Sequence, residues 1–237
     1  MIEGLPLYIS IVFLLTTLVT VWFLFSAAKR AGDGTPAYRL FVFAIPFWML
    51  LTGYLATTNF YRYAEAMPPR VAAFGVLPSV LFIGIYFVFF RKFVGNLPLK
   101  LLTLLHVVRV PVELVLLWLY RAGQVPEHMT FKGWNFDILS GVTAILVYFL
   151  AFRNGQVNRW LLIAWNLLAL GLLTNIVTIA ILSFRSPMQQ LAFEQPNVGV
   201  TYLPFIWLPA IVVPAVLFSH LAALFQLAIG TESTDRK

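Results

Sequence analysis

The sequence has no cysteine, few charged residues and only three histidines. Without cysteine the chain cannot form a disulfide, bind a metal through thiolates or use a cysteine nucleophile. It also lacks a glycine-rich phosphate loop, a GxSxG turn, an HExxH pair and a lysine in the last apolar stretch placed for a retinal Schiff base. These absences exclude several enzyme classes, and a metal site would have to be built from His, Asp or Glu.

Apolar residues dominate the composition. They make up 61% of the 237 residues, whereas charged residues make up 11%, compared with about 25% in soluble domains. With a mean hydropathy of +0.88, the chain is expected to be a polytopic membrane protein. The formal net charge of +7 does not indicate nucleic acid, because Lys and Arg in a membrane chain first report topology and anionic lipid headgroups. The expected partners are membrane lipids and a small-molecule ligand, with the oligomeric state left open.

Seven apolar stretches, each near the 20 residues that cross about 30 Å of hydrocarbon, predict an all-α, seven-transmembrane-helix bundle. The chain is expected to form a single membrane domain over residues 1–237. The first stretch has neither a basic n-region nor a small-residue cleavage site, so we expect a retained helix rather than a signal peptide. The fifth stretch is the shortest. If it did not cross the membrane, six spans would remain and the C-terminus would lie on the opposite side of the membrane. The predicted limits of spans one to seven are 5–28, 38–58, 71–90, 99–120, 136–152, 160–183 and 203–229.

The distribution of Lys and Arg predicts an orientation with the N-terminus outside and the C-terminus inside. Basic residues are enriched in cytoplasmic connections, and this orientation places ten of them inside and five outside. The expected location is the plasma membrane or a bacterial inner membrane. The inner set is Lys29, Arg30, Arg39, Arg91, Lys92, Lys100, Arg153, Arg159, Arg236 and Lys237, and the outer set is Arg62, Arg70, Arg121, Lys132 and Arg185.

Span four carries three ionisable residues on one face. At about 100° per residue, His106, Arg109 and Glu113 fall within an arc of about 60°, and Tyr120 continues the same polar face. Charged groups at bilayer depth cost at least about 2.5 to 3.5 kcal/mol each on insertion scales, so they normally face a protein interior or a water-filled cavity. Arg109 and Glu113 are four residues apart and are expected to be buried and mutually paired. A closed structural salt bridge is the alternative to a functional site.

Other spans offer polar residues at matching depth. His106 and His220 are expected about 9 Å and 13 Å from the inner ends of their spans, so the two rings should come within reach of each other. Asn166 lies at a similar depth, and Asn175 lies nearer mid-membrane. The more conservative interpretation of these amides is hydrogen bonding between helices.

Asp137, at the start of span five, has two interpretations. A carboxylate in the first turn favours the positive end of the helix dipole and can serve as a cap, which is the role we expect first. The alternative is a carboxylate at the outer mouth of a cavity, covered by the aromatic loop 121–135. In that loop His128 is expected to be solvated.

Together these residues predict a polar cavity that binds a small anionic or amphipathic ligand, with proton-linked transport as the corresponding activity. Arg109 would supply a fixed positive charge and a planar donor fork. Glu113 would neutralise that charge in the empty site and exchange a proton, while His106 and His220 would respond to protons. The expected ligand-binding set is His106, Arg109, Glu113, Tyr120, Asp137, Asn166, Asn175 and His220.

Two other function classes stay open. The first is an intramembrane enzyme acting on a lipid or isoprenoid substrate, with Glu113, His106 and His220 as acid and base or, with less support, as metal ligands. No cofactor is required by the sequence. The second is a structural or partner-binding subunit whose polar face is entirely closed. A lateral opening near Glu113 would favour the enzyme, a cavity open to one aqueous side the transporter, and the lack of a cavity the subunit.

Overall fold

The computed structural model describes residues 2–230, which are mostly helical. No β-strand is present within this range, so the all-α prediction is confirmed. Arg236 and Lys237, two of the predicted inner residues, lie outside the described residues. The α-helices are α1 (Leu7–Gly32), α2 (Pro36–Thr57), α3 (Leu77–Phe89), α4 (Arg91–Gly95), α5 (Leu99–Leu105), α6 (Arg109–Arg121), α7 (Ile138–Ala151), α8 (Arg159–Leu182) and α9 (Val213–Ile229). Short 3₁₀ turns occupy Phe60–Arg62, His106–Val108, Glu127–Met129 and Gly199–Thr201, and π-helical turns occupy Ala72–Val76 and Leu208–Val212.

Six helical stretches are long and apolar enough to cross a membrane. Where span five is predicted, the structure has only α7, whose 14 residues extend about 21 Å against a hydrocarbon core of about 30 Å. By length and composition, six of the seven predicted spans therefore qualify. These six are Leu7–Gly32, Pro36–Thr57, Ala72–Phe89, Leu99–Arg121, Arg159–Leu182 and Leu208–Ile229.

The helix ends gather at two opposite ends of the bundle. At one of them, which we call the loop end, the ring centroids of Tyr8 in α1 and Trp118 in α6 lie 5.1 Å apart. Arg62, which follows α2, donates to the hydroxyl of Tyr202 over 3.3 Å at the same end. The long connections 58–71, 122–137 and 183–207 belong to the loop end.

The opposite end is called the basic end, because Lys29, Arg30 and Lys92 lie in the helices that reach it. It joins α4, α5, α7 and α9. Gln226 near the end of α9 donates to the carbonyls of Val94 and Leu97, both over 2.8 Å. The Lys100 ammonium lies 5.9 Å from the ring centroid of Phe152, which links the start of α5 to the end of α7. The short connections 33–35, 96–98 and 152–158 belong to the basic end.

Span four lies at the centre of the bundle and is built from α5, a 3₁₀ turn and α6. Pro111 has no N–H, so it cannot donate to the carbonyl of Val107. At this point the helix tightens into the turn His106–Val108, and the backbone N–H of Arg109 bonds back within that turn. The proline thus explains why the helix is irregular where His106 and Arg109 leave it.

Span seven is irregular for the same reason. Pro214 cannot donate to the carbonyl of Ala210, four residues earlier, and the hydroxyl of Ser79 in α3 donates to that carbonyl over 2.7 Å. The π-helical turn Leu208–Val212 contains Pro209 and precedes α9. Prolines therefore distort the first part of span seven, and a side chain of span three satisfies the released carbonyl.

Candidate functional site

The centre of the candidate site is an ion pair between Arg109 and Asp137. Arg109 Nε donates to Asp137 Oδ2 over 2.6 Å, and Nη2 pairs with Oδ1. Both residues are buried. The expected pairing of Arg109 with Glu113 is wrong, because the planar guanidinium instead meets both oxygens of the carboxylate that arrives at the start of α7.

This pairing also bears on the capping role that was expected for Asp137. Asp137 stands at the N-cap position of α7, but its side chain makes no capping hydrogen bond there. Its expected capping role is therefore wrong, since both carboxylate oxygens face Arg109. The alternative interpretation, a carboxylate at the outer mouth of a cavity covered by the loop 121–135, stays a prediction.

A close approach of α7 to span four makes the ion pair possible. A Cβ atom added at Gly141 would lie 2.9 Å from the backbone nitrogen of Val110 and 3.3 Å from Arg109 Cβ. The former distance is shorter than carbon and nitrogen atoms tolerate without a shift of the backbone. Gly141 is therefore needed for α7 to reach the level of Arg109.

His220 and Asn166 extend the ion pair toward α8 and α9. Arg109 Nη1 lies 3.2 Å from His220 Nε2, and because a guanidinium only donates, Nε2 must accept. The ring proton is then on Nδ1, which lies 2.8 Å from Asn166 Oδ1. Arg109 Nη2 also donates to the carbonyl of Ala169 over 3.1 Å. We call Arg109, Asp137, His220 and Asn166 the charged cluster.

His106 stacks on this cluster. Its ring centroid lies 3.9 Å from that of His220 at an interplanar angle of 26°, so the prediction that the two rings come within reach is confirmed. The ring of Trp165 lies at 75° to the ring of His106, with the two centroids 5.2 Å apart. Within residues 2–230, no group of three or more His, Cys, Asp or Glu side chains could hold a metal ion. His106, His220 and Glu113, the possible metal ligands named from the sequence, therefore do not form a metal site among the described residues.

Glu113 lies outside the charged cluster, although it is only one helical turn from Arg109. Its Oε1 accepts a hydrogen bond of 2.6 Å from Asn135 Nδ2. Its Oε2 is buried and has no hydrogen-bond partner among the described residues, and only 1% of the residue is exposed. One oxygen of a buried carboxyl group is thus unsatisfied.

Asn135 is the residue that the sequence analysis missed. Its Nδ2 donates to Glu113 and also to the carbonyl of Met129, the latter over 2.9 Å. Its Oδ1 accepts from the backbone N–H of Asp137 over 2.9 Å. It therefore holds the Glu113 carboxyl group and the backbone of Asp137 in place relative to the loop. Its position two residues before Asp137, within an aromatic segment, was the available signal.

An apolar cavity of about 470 Å³ lies beside Glu113. Its wall is formed by the π-helical turns that precede α3 and α9, by α6 and α8, and by loop-end residues that include Pro68 and Met188. Glu113 and Asp137 are the ionisable side chains among the described residues of this wall. Leu77, Val80 and Ile181 line the cavity and are 51%, 41% and 51% exposed, so the cavity reaches the outer surface of the bundle between α3 and α8.

A second cavity, of about 180 Å³, lies between α1, α2, α3 and span seven. Phe41, Trp48, Phe82 and Phe218 are among the residues that line it, and its described wall contains no ionisable side chain. The two cavities are therefore chemically different, since only the larger one contains carboxyl groups.

Tyr120 and Asn175 lie away from the charged cluster. The hydroxyl of Tyr120 donates to Glu127 Oε2 over 3.0 Å, and Asn175 Nδ2 donates to the carbonyl of Trp134 over 2.8 Å. Both therefore hold the 122–137 connection at the loop end. His128 is half-buried there, with its ring centroid 4.3 Å from that of Trp134.

These features define a class: a helical protein with stretches long and apolar enough to span a membrane, a buried ion pair and an adjoining apolar cavity. The chain belongs to the family described as Domain of unknown function (DUF8737), which matches residues 66–228. No curated protein and no solved structure matches the chain. The matched region contains the charged cluster and the described wall of the larger cavity, so the candidate site lies entirely within the part shared with the family.

Proposed function

We propose that this protein binds a small amphipathic molecule in the larger cavity, with Glu113 as its polar contact, and that binding is linked to proton exchange at this carboxyl group. The observation that carries this proposal is the unpartnered Oε2 of Glu113 in the wall of an apolar cavity of about 470 Å³. Leaving a buried polar group unsatisfied costs about 1 to 3 kcal/mol. Ionisable groups at membrane depth are typically functional, and a ligand donor would satisfy this oxygen.

The cavity has the properties of a small-molecule site. Its volume lies within the range of about 300 to 1,000 Å³ that such sites have, and these sites combine apolar walls with a few polar groups. The arrangement supports the amphipathic alternative over the anionic one, because the donors of Arg109 are engaged by Asp137, His220 and the Ala169 carbonyl. An anion would have to displace one of these acceptors.

The opening between α3 and α8 supports entry of the ligand from the bilayer. The half-exposed side chains of Leu77, Val80 and Ile181 line this opening, and an amphipathic molecule could pass them without leaving the apolar phase. Of the two activities that such binding could serve, a lateral opening near Glu113 favours an enzyme that uses Glu113 as acid or base on a lipid or isoprenoid substrate over a transporter, which would need a cavity open to an aqueous side. A closed structural subunit is less well supported, because it does not account for the unpartnered oxygen.

For this function the chain would cross the membrane seven times, with the N-terminus outside. The fifth crossing would combine the connection 122–137 with α7, because Asp137 lies deep in the bundle beside Arg109 and α7 ends near Lys100 at the basic end. The basic end would then face the cytoplasm, in agreement with its Lys and Arg content. Cysteine labelling tests this topology: a cysteine at Asn154 should be protected from an impermeant reagent in intact cells, and one at Ser186 should react.

A cavity-filling substitution tests the proposed binding. Val177, half-buried on α8, lines the cavity, so Val177→Trp should exclude the ligand. Leu168→Trp places the same side chain on the same helix at a position that is 73% exposed and serves as the control. Mass spectrometry of co-purified lipids should detect a species in the wild-type and Leu168→Trp proteins that is depleted in Val177→Trp. Identical lipid extracts from all three folded proteins would contradict the proposal.

A further inference from the structure

The charges around the larger cavity are not balanced. Two carboxyl groups, Glu113 and Asp137, contribute to its described wall, and no Lys, Arg or His side chain does so. Asp137 is paired with Arg109 on the far side of the wall, whereas Glu113 receives one hydrogen bond from the neutral amide of Asn135. The wall therefore contains one carboxyl group with no cationic partner.

Arg109 cannot supply this partner. Its Nε and Nη2 donate to the carboxylate of Asp137, and Nη2 also donates to the Ala169 carbonyl. Its Nη1 lies against His220 Nε2. Turning toward Glu113 would leave the buried carboxylate of Asp137 without its counter-ion, and an uncompensated buried charge typically costs about 3 to 5 kcal/mol. The donor missing at Glu113 therefore has to come from within the cavity.

We infer that the ligand of the larger cavity is a lipophilic cation, in which an ammonium group donates to Glu113 Oε2 and an apolar chain fills the space between α3 and α8. This inference rests on the proposed function and adds the class of ligand. An ammonium group is a donor that also balances the carboxylate, whereas an alcohol would satisfy only the hydrogen bond. A carboxylate or phosphate headgroup would face two carboxyl groups and no free cation.

The ammonium group and a proton would compete for Glu113. The charged groups near enough to act electrostatically on Glu113 are Arg109, one turn away on α6, and Asp137 at the start of α7, while the loop contributes the neutral Asn135. The wall residues on span three, α8 and span seven are not ionisable. Competition at a single carboxyl group gives the proposed link between ligand binding and proton release, because one positive charge replaces another.

Three amphiphiles that share a dodecyl chain and differ in their headgroup test the inference. The full chain would be reconstituted in nanodiscs of zwitterionic phosphatidylcholine, and saturable binding of radiolabelled dodecylamine, dodecanol and dodecanoate would be measured above that of empty discs. Removing one member of a buried charged pair typically changes affinity by about 30-fold or more. We therefore expect Glu113→Gln to weaken dodecylamine binding by about 30-fold and dodecanol binding by less than about 3-fold.

Glu127→Gln is the matched control, because Glu127 bonds to Tyr120 at the loop end and does not line the cavity. It should leave dodecylamine binding unchanged. The headgroup series on the unmodified chain needs no variant, so it tests the inference even where Glu113→Gln folds poorly. Saturable binding of dodecanol or dodecanoate with the affinity of dodecylamine would overturn the cation and leave the proposed cavity function standing. Saturable binding of none of the three would contradict the proposed function itself.

Discussion

Arg109 and Glu113 lie one helical turn apart on α6, yet their surroundings are opposite. The guanidinium of Arg109 bonds to side chains of α9 and of the residue before α7, and to a carbonyl of α8. Glu113 faces an apolar cavity and retains one oxygen without a partner among the described residues. Two charged residues that look equivalent in the sequence therefore have different surroundings: Arg109 joins helices, whereas Glu113 lines a cavity with one oxygen unpartnered.

The difference follows from which elements approach each side of span four. Gly141 lets α7 come close to Arg109, and α8 and α9 close the rest of that side. Around Glu113, α3 and α8 stay apart, and the cavity fills the space between them. A buried ion pair adds little stability compared with apolar packing, but breaking it is costly. Substitutions on the two sides should therefore separate effects on folding from effects on binding.

The largest expected effect is that of Arg109→Ala. It leaves Asp137 buried without a counter-ion and His220 without its donor, which should destabilise the fold by about 3 to 5 kcal/mol. The measurement is thermal unfolding in detergent together with the yield of monodisperse protein. In the control, the double substitution Arg109→Leu with Asp137→Leu removes both charges and should restore much of the stability. A single variant as stable as the wild type would show that the ion pair does not join the helices.

An intermediate effect is expected for Gly141→Ala. The new methyl group would meet the backbone of Val110 at 2.9 Å, and forcing an extra methyl group into a packed contact typically costs about 1 to 3 kcal/mol. The same substitution at Gly171 on α8 is the control, since a Cβ there would meet nothing within 4 Å. Thermal unfolding of the two variants should differ, with Gly171→Ala equal to or more stable than the wild type. Equal melting temperatures would argue against the close approach of α7.

The sequence predicted much of this arrangement. Hydropathy located the six long spans, and the depth argument brought His106 and His220 together because helix rise is nearly constant. The partner of Arg109 could not be chosen in this way. The sequence offered Glu113, one turn away, and placed Asp137 at the outer end of span five; the observed partner depends on the start of the short helix α7 and on its contact at Gly141, which is a tertiary feature.

The sequence predicted a polar cavity around span four, but the place of the cavity, its mainly apolar wall and the role of Asn135 were beyond it. A cavity arises where two helices fail to meet, and the hydropathy of α3 and α8 is the same whether they touch or stay apart. Asn135 acts through its position in an irregular loop, where no helical or strand periodicity fixes the direction of a side chain. Its contacts with the Glu113 carboxyl group and with the backbone N–H of Asp137 therefore appear only in the folded chain.

The smallest expected effect on stability, and the sharpest test of the comparison, is that of Glu113→Gln. The amide keeps the shape of the side chain and an oxygen that can accept from Asn135. We therefore expect the free energy of unfolding to change by less than about 1 kcal/mol, the contribution of a typical hydrogen bond. The lipid species retained by the wild-type protein should nevertheless be lost, as measured by mass spectrometry of the purified variant beside Glu127→Gln. If Glu113→Gln instead melts as early as Arg109→Ala and retains the lipid, Glu113 belongs with the residues that join the helices, and the two sides of span four do not differ in role.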